Sequence, residues 1–169
     1  DVNLIEKVIR AFSLVEMLTQ ADCPYIWKGG SSLMLLLAPR RNRLSIDVDI
    51  ICPPGTDIEK YLTRYKDFGF TESEPKDREQ PGTDIPKSHQ KLHYNVAYLS
   101  NSERKESILL DVLYEDAQYE KVETLKVESP FIRLDGEPLT VRIPSVNDIL
   151  GDKLTAFAPN TSGIPYYKK

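Results

Sequence analysis

The residues best suited to chemistry lie within 27–50, where a Gly-Gly-Ser-Ser turn is followed by an Asp-x-Asp pair. Gly29 and Gly30 let backbone N–H groups approach phosphate oxygens, because glycine accepts positive φ angles and carries no Cβ. Asp47 and Asp49 supply the hard carboxylate oxygens that Mg²⁺ prefers. A phosphoryl-transfer site needs both features, so the pattern predicts a nucleotidyltransferase.

The two carboxylates lie in a run rich in β-branched residues, 44–52, that predicts a strand. Alternate residues of a strand share a face, so Asp47, Asp49 and Ser45 leave one side while the apolar residues between them point into the core. An exposed strand face is the simpler interpretation. It is weakened because Asp is uncommon in strands and adjacent like charges repel. A divalent cation between the carboxylates would remove that repulsion.

A third carboxylate, Asp111, lies in an apolar segment. Its neighbours are Ile108, Leu109, Leu110, Val112 and Leu113. A strand that is apolar on both faces is typical of the buried centre of a sheet, where an isolated ionised carboxylate is costly. We therefore predict that Asp111 is a third metal ligand, or the base that takes a proton from the attacking hydroxyl. A salt bridge at a partly exposed strand end is the alternative.

Local sequence patterns predict the elements that position these residues. Apolar residues at helical spacing indicate an amphipathic helix over 3–20, and a short strand over 25–28 leads into the glycine turn. Ser31 or Ser32 is expected to cap a following helix over 33–37.

The middle of the chain is predicted to contain one helix, one loop and a hairpin. The helix covers 57–68 and ends at Gly69. A polar, proline-containing stretch over 71–88 predicts a long loop. Two strands over 92–99 and 107–114 are expected to pair as an antiparallel hairpin.

The last third is predicted to contain strands over 121–127 and 139–143. Ser145 and Asp148 resemble a capping box that opens a helix over 146–157. The order of helices and strands predicts an α/β (α+β) fold in which helices flank a mixed β-sheet.

Composition limits the classes of partner. The chain has 169 residues, 40% hydrophobic and 28% charged, which is typical of one soluble globular domain. A net charge of −4 and a pI near 5.3 argue against stable double-stranded DNA binding, because phosphate neutralisation needs clustered cations. Arg40, Arg41 and Arg43 could form a local basic patch or a solvated loop.

Other residue types carry little signal. Cys23 and Cys52 form neither a disulfide framework nor a zinc spacing, so buried free thiols are expected. His89 and His93 are interpreted as ordinary polar residues near a loop rather than as a metal site. With no signal peptide and no membrane-length apolar run, a cytoplasmic location is expected.

Three segments together resemble the AbiEii/AbiGii group of the DNA polymerase β-type nucleotidyltransferase superfamily. They are Lys-Gly-Gly-Ser-Ser-Leu at 28–33, Arg-Leu-Ser-Ile-Asp-Val-Asp at 43–49 and Asp-Ile-Leu-Gly-Asp-Lys-Leu at 148–154. The resemblance extends over about 25–154. The group comprises toxins of bacterial abortive-infection and toxin–antitoxin modules.

The resemblance implies a nucleotidyltransferase fold and a role for each matching residue. The residues implied to bind nucleotide are Gly29, Gly30, Ser31, Arg43, Ser45 and Lys153. The implied catalytic residues and metal ligands are Asp47, Asp49 and Asp111, with Mg²⁺ bound as one or two ions. A surface position without a nucleotide contact is the alternative for Lys153.

The implied reaction moves an NMP from an NTP to an acceptor hydroxyl, either a tRNA 3′ end or a protein, and a cognate antitoxin is expected. Two alternatives stay open: a small-molecule nucleotidyltransferase resembling those that modify aminoglycosides, and a non-catalytic nucleotide-binding module. The group carries further motifs on helices after the lysine that matches Lys153. We therefore expect 1–169 to be a single nucleotidyltransferase domain that lacks a C-terminal helical region.

Overall fold

The computed structural model describes residues 2–38, 44–76, 86–98, 104–128 and 133–157. Within them a five-stranded sheet has the order β1-β2-β5-β4-β3, and β6 and β7 form a second, two-stranded sheet. The elements in chain order are α1 (Val2–Gln20), β1 (Ile26–Lys28), α2 (Gly29–Leu36), β2 (Val48–Cys52), two 3-10 helices (Ile58–Tyr61 and Tyr65–Phe68), β3 (Glu72–Pro75), β4 (Lys87–Asn95), β5 (Lys105–Tyr114), β6 (Val122–Lys126), β7 (Thr140–Pro144) and α3 (Val146–Phe157). The predicted α/β class with a mixed sheet and flanking helices is confirmed.

The large sheet is mixed because two of its inner strands, β2 and β5, run parallel. The other pairs, β1 with β2, β4 with β5 and β3 with β4, are antiparallel. The predicted hairpin is therefore confirmed as β4–β5, although β4 begins at Lys87, five residues earlier than expected.

One face of this sheet forms the hydrophobic core. Trp27, Ile50 and Val112 lie in one row across β1, β2 and β5, and all three are buried. Phe12 of α1 meets the Trp27 ring edge to face, with 6.0 Å between the ring centroids. The apolar stripe of α1 therefore covers this face, and the polar residues that alternate with the row lie on the other face.

The predicted start of α2 was wrong. The helix begins at Gly29, its N-cap is Lys28, and no side chain of the described residues caps it. Ser31 and Ser32 lie inside the first turn, and Ser32 Oγ donates a hydrogen bond to the Gly29 carbonyl oxygen over 3.3 Å. The glycines therefore belong to the helix N-terminus rather than to a separate turn before it.

Two other boundaries differ from the predictions. The strand expected over 44–52 begins only at Val48, so Asp47 lies just before it. The helix expected over 57–68 is divided into two 3-10 helices, and Asp57 makes no capping hydrogen bond. The predicted stop is confirmed, because Gly69 adopts a left-handed conformation with φ of 80°.

The long loop predicted over 71–88 was partly wrong, because it contains β3 and the start of β4. β3 is a polar edge strand, Glu-Ser-Glu-Pro, and among the described residues only β4 pairs with it. Edge strands often carry charges and proline, so they lack the apolar alternation that identifies a strand in a sequence. The remainder of this stretch, 77–85, lies outside the described residues.

The predicted capping box at the start of α3 is confirmed. The Asp148 backbone N–H donates to Ser145 Oγ over 3.2 Å, and that hydroxyl donates to Asp148 Oδ2 over 2.6 Å. The same carboxylate accepts hydrogen bonds from the backbone N–H groups of Glu120 and Lys121. Asp148 therefore attaches the segment before β6 to the first turn of α3.

The cysteines and the membrane-spanning potential of the helices were also considered in the sequence. Cys23 and Cys52 are buried free thiols, as predicted. Among the described residues, no helix combines the length and the apolar character needed to cross a membrane.

Candidate functional site

A row of four polar residues crosses the face of the sheet opposite to the core. Lys28 on β1 is paired in register with Asp49 on β2, which is paired with Asp111 on β5, which is paired with His89 on β4. Paired residues share a face, and neighbouring strands lie about 4.8 Å apart. The sheet therefore holds the Asp49 and Asp111 carboxylates side by side, between a lysine and a histidine.

The electrostatics of Asp49 reflect this arrangement. The pKa of the Asp49 carboxyl is raised to about 6, mainly by burial and then by the nearby Asp111 and Asp47 carboxylates, while Lys28 and Lys153 oppose the rise. Burial and like charges both oppose ionisation of a carboxyl group. A bound cation would favour the charged forms of both neighbouring acids.

Two glycines bring the N-terminus of α2 against these residues. Gly29 has φ of +80°, and a Cβ built on it would lie 2.1 Å from Asp49 Oδ2. A Cβ on Gly30 would lie 2.5 Å from Ser45 Oγ. The first N–H groups of a helix have no partner within it and favour anions. Only glycine therefore permits this helix N-terminus to lie beside the Asp49 carboxylate.

The Ser31 hydroxyl faces the core rather than the site. Ser31 is fully buried, and its Oγ accepts a hydrogen bond of 3.0 Å from the Trp27 indole N–H. Any contact between Ser31 and a nucleotide would therefore come from its backbone N–H. The side chain instead attaches the first turn of α2 to the buried strand β1.

Asp47, the first residue of the Asp-x-Asp pair, is exposed and lies just before β2. No group of three or more His, Cys, Asp or Glu side chains within the described parts of the chain is arranged to hold a metal ion. The structure thus brings Asp49 and Asp111 together without placing Asp47 in a three-ligand cluster. A role for Asp47 as third ligand stays a prediction.

Two lysines supply positive charge to the site. Lys28 Nζ lies 3.5 Å from Asp152 Oδ2, and the Tyr119 hydroxyl donates to the same oxygen over 2.9 Å. These contacts hold α3 beside β1, close enough for the half-buried Lys153 to lower the pKa of Asp49. Lys28 had no predicted role, although it directly precedes the glycine pair. Arg43, predicted to orient phosphate, lies outside the described residues.

His89 is the functional candidate that the sequence analysis missed. It lies within β4 rather than near a loop, its side chain is 10% exposed, and Nδ1 is 2.5 Å from Asp111 Oδ1. His93, on the same face of β4, contacts Glu74 Oε1 instead, over 2.9 Å. Only the register of β4 on β5 distinguishes the two histidines, and local sequence patterns do not contain that register.

Comparisons with known proteins agree with this architecture. The family model described as "Nucleotidyl transferase AbiEii toxin, Type IV TA system" matches residues 14–164. The crystal structure of JHP933 from Helicobacter pylori aligns with a TM-score of 0.52 and 21% identity, over 91% of this chain and 54% of that one. A second H. pylori structure, provisionally described as a nucleotidyltransferase, aligns with a TM-score of 0.50 and 21% identity, over 90% of this chain and 56% of that one.

The chain therefore spans about half the length of these two proteins. No curated protein matches it significantly. At 21% identity, the similarity to these two structures shows a shared fold only. The family model, by contrast, matches most of the chain, residues 14–164.

Proposed function

Because the chain belongs to the AbiEii nucleotidyl transferase toxin family, we propose that its site transfers an NMP from an NTP to an acceptor hydroxyl and releases pyrophosphate. The observation that carries this proposal is the Asp49–Asp111 pair held in register beside the glycine N-terminus of α2. Carboxylates for a metal and N–H groups for phosphates therefore face one small region.

The triphosphate is proposed to lie at the N-terminus of α2. The backbone N–H groups of Gly29 and Gly30 would face the phosphates there, at two positions that carry no Cβ. Lys28 and Lys153 both lower the pKa of Asp49, which supports placing their charges near the triphosphate. They are proposed to balance the negative charge that accumulates on the leaving pyrophosphate.

The Asp49 and Asp111 carboxylates fit Mg²⁺, as one or two ions, because they are adjacent oxygen donors whose mutual repulsion a cation relieves. Mg²⁺ bound there would neutralise phosphate charge and lower the pKa of the acceptor hydroxyl. In the proposed step the acceptor oxygen bonds to the α-phosphorus, and the bond to the pyrophosphate oxygen breaks. Asp111 Oδ2, the oxygen that does not contact His89, is proposed to take the hydroxyl proton.

Among the acceptors considered, we propose the 3′ end of a tRNA. The site face of β4 carries Lys87, His89, Lys91 and His93, and Asp111 is paired with one of them. Lys91 Nζ also lies 3.9 Å from Glu74 Oε1, so the stripe is partly balanced by acid. A basic strand leading to the carboxylates favours an anionic acceptor, because phosphate contacts dominate RNA affinity.

A cationic small-molecule acceptor has less support. A cleft of about 290 Å³ beside β2 and α3 includes Glu115, Asp148 and Asp152 in its lining. Asp148 already accepts hydrogen bonds within the capping box, and Asp152 already contacts Lys28 and Tyr119. The acidic groups of this cleft are therefore largely used within the protein rather than offered to an aminoglycoside.

The biological proposal is a toxin that is controlled by a cognate antitoxin, as the family description implies. We also propose that residues 1–169 form one nucleotidyltransferase domain, since the site is built from β1, α2, β2, β4, β5 and α3 within them.

The test supplies each α-labelled NTP with Mg²⁺, and offers total bacterial tRNA and, separately, protein extract as acceptors. Label on the tRNA with the wild type, and its loss in Asp49→Asn, is the expected result. Label on protein would keep the enzyme and change the acceptor. Metal-dependent NTP binding without any transfer would instead support the non-catalytic module.

A further inference from the structure

We propose that His89 is a positioning residue that holds Asp111 in the orientation needed for metal binding and proton transfer. The inference rests on the proposed function, because it concerns the same carboxylate pair. His89 touches neither substrate nor metal in this account, and it acts only through Asp111.

The geometry of the pair is specific. His89 is the register partner of Asp111, and Nδ1 approaches Oδ1 to 2.5 Å. An ionised carboxylate can only accept, so the hydrogen lies on Nδ1 and is donated to Oδ1. This bond fixes the rotation of the Asp111 carboxylate about its side-chain axis. Asp111 Oδ2 then remains available for the metal and for the acceptor proton. Hydrogen bonds to a metal-binding carboxylate orient it before the metal binds.

The second ring nitrogen of His89 argues against a purely structural role. Nε2 is buried and has no hydrogen-bond partner within the part of the chain that the structure describes. A buried polar atom without a partner destabilises a fold, and each such atom needs an explanation. An apolar residue would pack in this strand without that cost. We infer that a histidine is present at this position, although its Nε2 has no partner among the described residues, because its Nδ1 holds Asp111.

His93 provides a matched control on the same face of the same strand. Its Nε2 contacts Glu74 Oε1 at 2.9 Å, and Glu74 belongs to the edge strand β3 rather than to the carboxylate pair. Replacing either histidine removes one half-buried ring from β4. Only the replacement of His89 changes a neighbour of Asp111.

The experiment compares the wild type with His89→Asn, His89→Leu and His93→Leu. Asparagine can place its amide N–H near the position of Nδ1, whereas leucine keeps bulk but offers no donor. The first readout is the proton NMR spectrum of the metal-free protein, in which the His89 Nδ1–H that is hydrogen-bonded to Asp111 gives a downfield resonance. The second is the dissociation constant for Mn²⁺ measured by electron paramagnetic resonance.

We expect the downfield resonance in the wild type and in His93→Leu, and its loss in both His89 variants. Mn²⁺ affinity should fall about 10–100-fold in His89→Leu and recover most of that loss in His89→Asn. His93→Leu should keep wild-type affinity.

The outcomes separate two kinds of failure. Wild-type Mn²⁺ affinity in a folded His89→Leu would overturn the positioning role alone, and so would an equal loss in His93→Leu. A wild type that binds no Mn²⁺ would overturn the proposed function and the positioning role with it. If His89→Leu does not fold, His89→Phe, which also lacks a donor, takes its place: lowered Mn²⁺ affinity in that variant with recovery in His89→Asn supports the role, and wild-type affinity in it overturns the role.

Discussion

Asp49 lies in a largely buried position beside a second carboxylate, which is unusual for an aspartate. Burial and the adjacent Asp111 oppose its ionisation, yet the backbone of Gly29 lies against its carboxylate and leaves no room for a larger neighbour. A group held in an unfavourable charged state by its surroundings is typical of a functional site. We therefore expect the ionised Asp49 carboxylate to lower the stability of the metal-free protein, and we expect no side chain larger than that of glycine to fit at position 29.

Replacing Asp49 by Asn should stabilise the metal-free protein at neutral pH. The folded state raises the Asp49 pKa from 3.8 to about 6, so it binds the proton more tightly than the unfolded chain does. Wild-type stability therefore increases as pH falls from about 6 towards about 4, and the charged carboxylate destabilises the fold above that window. We expect Asp49→Asn to gain about 1–3 kcal/mol in free energy of unfolding at about pH 7.5, and little at about pH 4.

Denaturant unfolding in EDTA at the two pH values measures this difference. Saturating Mg²⁺ should stabilise the wild type and not Asp49→Asn, which would reverse their order. Asp67→Asn is the control, because Asp67 is exposed and pairs with Arg64 away from the site. Asp49→Asn less stable than the wild type at neutral pH would contradict the electrostatic account.

Gly29→Ala and Gly55→Ala form a matched pair of substitutions. Both glycines have φ near 80°, at +80° and +82°, so alanine should cost each about 1–2 kcal/mol in backbone strain. A Cβ on Gly55 meets no atom of the described residues within 4 Å, whereas one on Gly29 lies 2.1 Å from Asp49 Oδ2. Gly29→Ala should therefore lose more stability, by roughly a further 1–3 kcal/mol, and should also lose transfer activity.

Thermal unfolding and transfer rates check the pair together. Gly55→Ala is expected to keep wild-type activity despite its lower stability. Equal stability losses in the two variants, with activity kept in both, would show that the close approach of α2 to Asp49 does not matter.

At the scale of elements, α2 connects the core to the site. Its N-terminus faces Asp49, and its first turn is held by the hydrogen bond from Trp27 to Ser31. Trp27 in turn packs edge to face on Phe12 of α1. A rigid core residue therefore sets the position of the helix end that is proposed to bind phosphate, which is how preorganised sites are built.

Ser31→Ala tests whether the serine hydroxyl is structural. The substitution leaves the buried Trp27 indole N–H without its acceptor, and we expect the free energy of unfolding to fall by about 1–3 kcal/mol. The KM for NTP should change by no more than about a factor of three, because only the backbone N–H of Ser31 is proposed to reach phosphate. A lost nucleotide contact worth about 1.4 kcal/mol would instead raise KM about tenfold. Unfolding curves and steady-state kinetics give the two quantities. A large rise in KM at unchanged stability would assign the hydroxyl to the nucleotide instead.

Across the whole molecule, the features that could be predicted from the sequence are those that depend on residues close together in the chain. The alternation around Asp49 and the apolar surroundings of Asp111 identified two strands and two carboxylates. The capping residues Ser145 and Asp148 identified the start of α3, because a cap depends on residues three positions apart.

The failures came from contacts between residues far apart in the chain. The polar edge strand β3 is recognisable only through its pairing with β4, and His89 only through its register with Asp111. α2 begins at Gly29, which lies against Asp49, and this tertiary contact has no local signal beyond the glycine itself. Tertiary pairing therefore determined the parts of the site that periodicity could not predict.

The most direct test of the central claim follows both ends of the triphosphate in one reaction. NTP labelled at the α-phosphorus, and separately at the γ-phosphorus, is incubated with Mg²⁺ and the tRNA acceptor. The enzymes compared are the wild type, Asp49→Asn, Asp111→Asn and the surface control Asp67→Asn. We expect α-label on the acceptor and γ-label in free pyrophosphate for the wild type and the control. Both site variants should be slower by at least on the order of 10²-fold. Transfer of γ-label to the acceptor, or full activity in a folded Asp49→Asn, would contradict nucleotidyl transfer at this carboxylate pair.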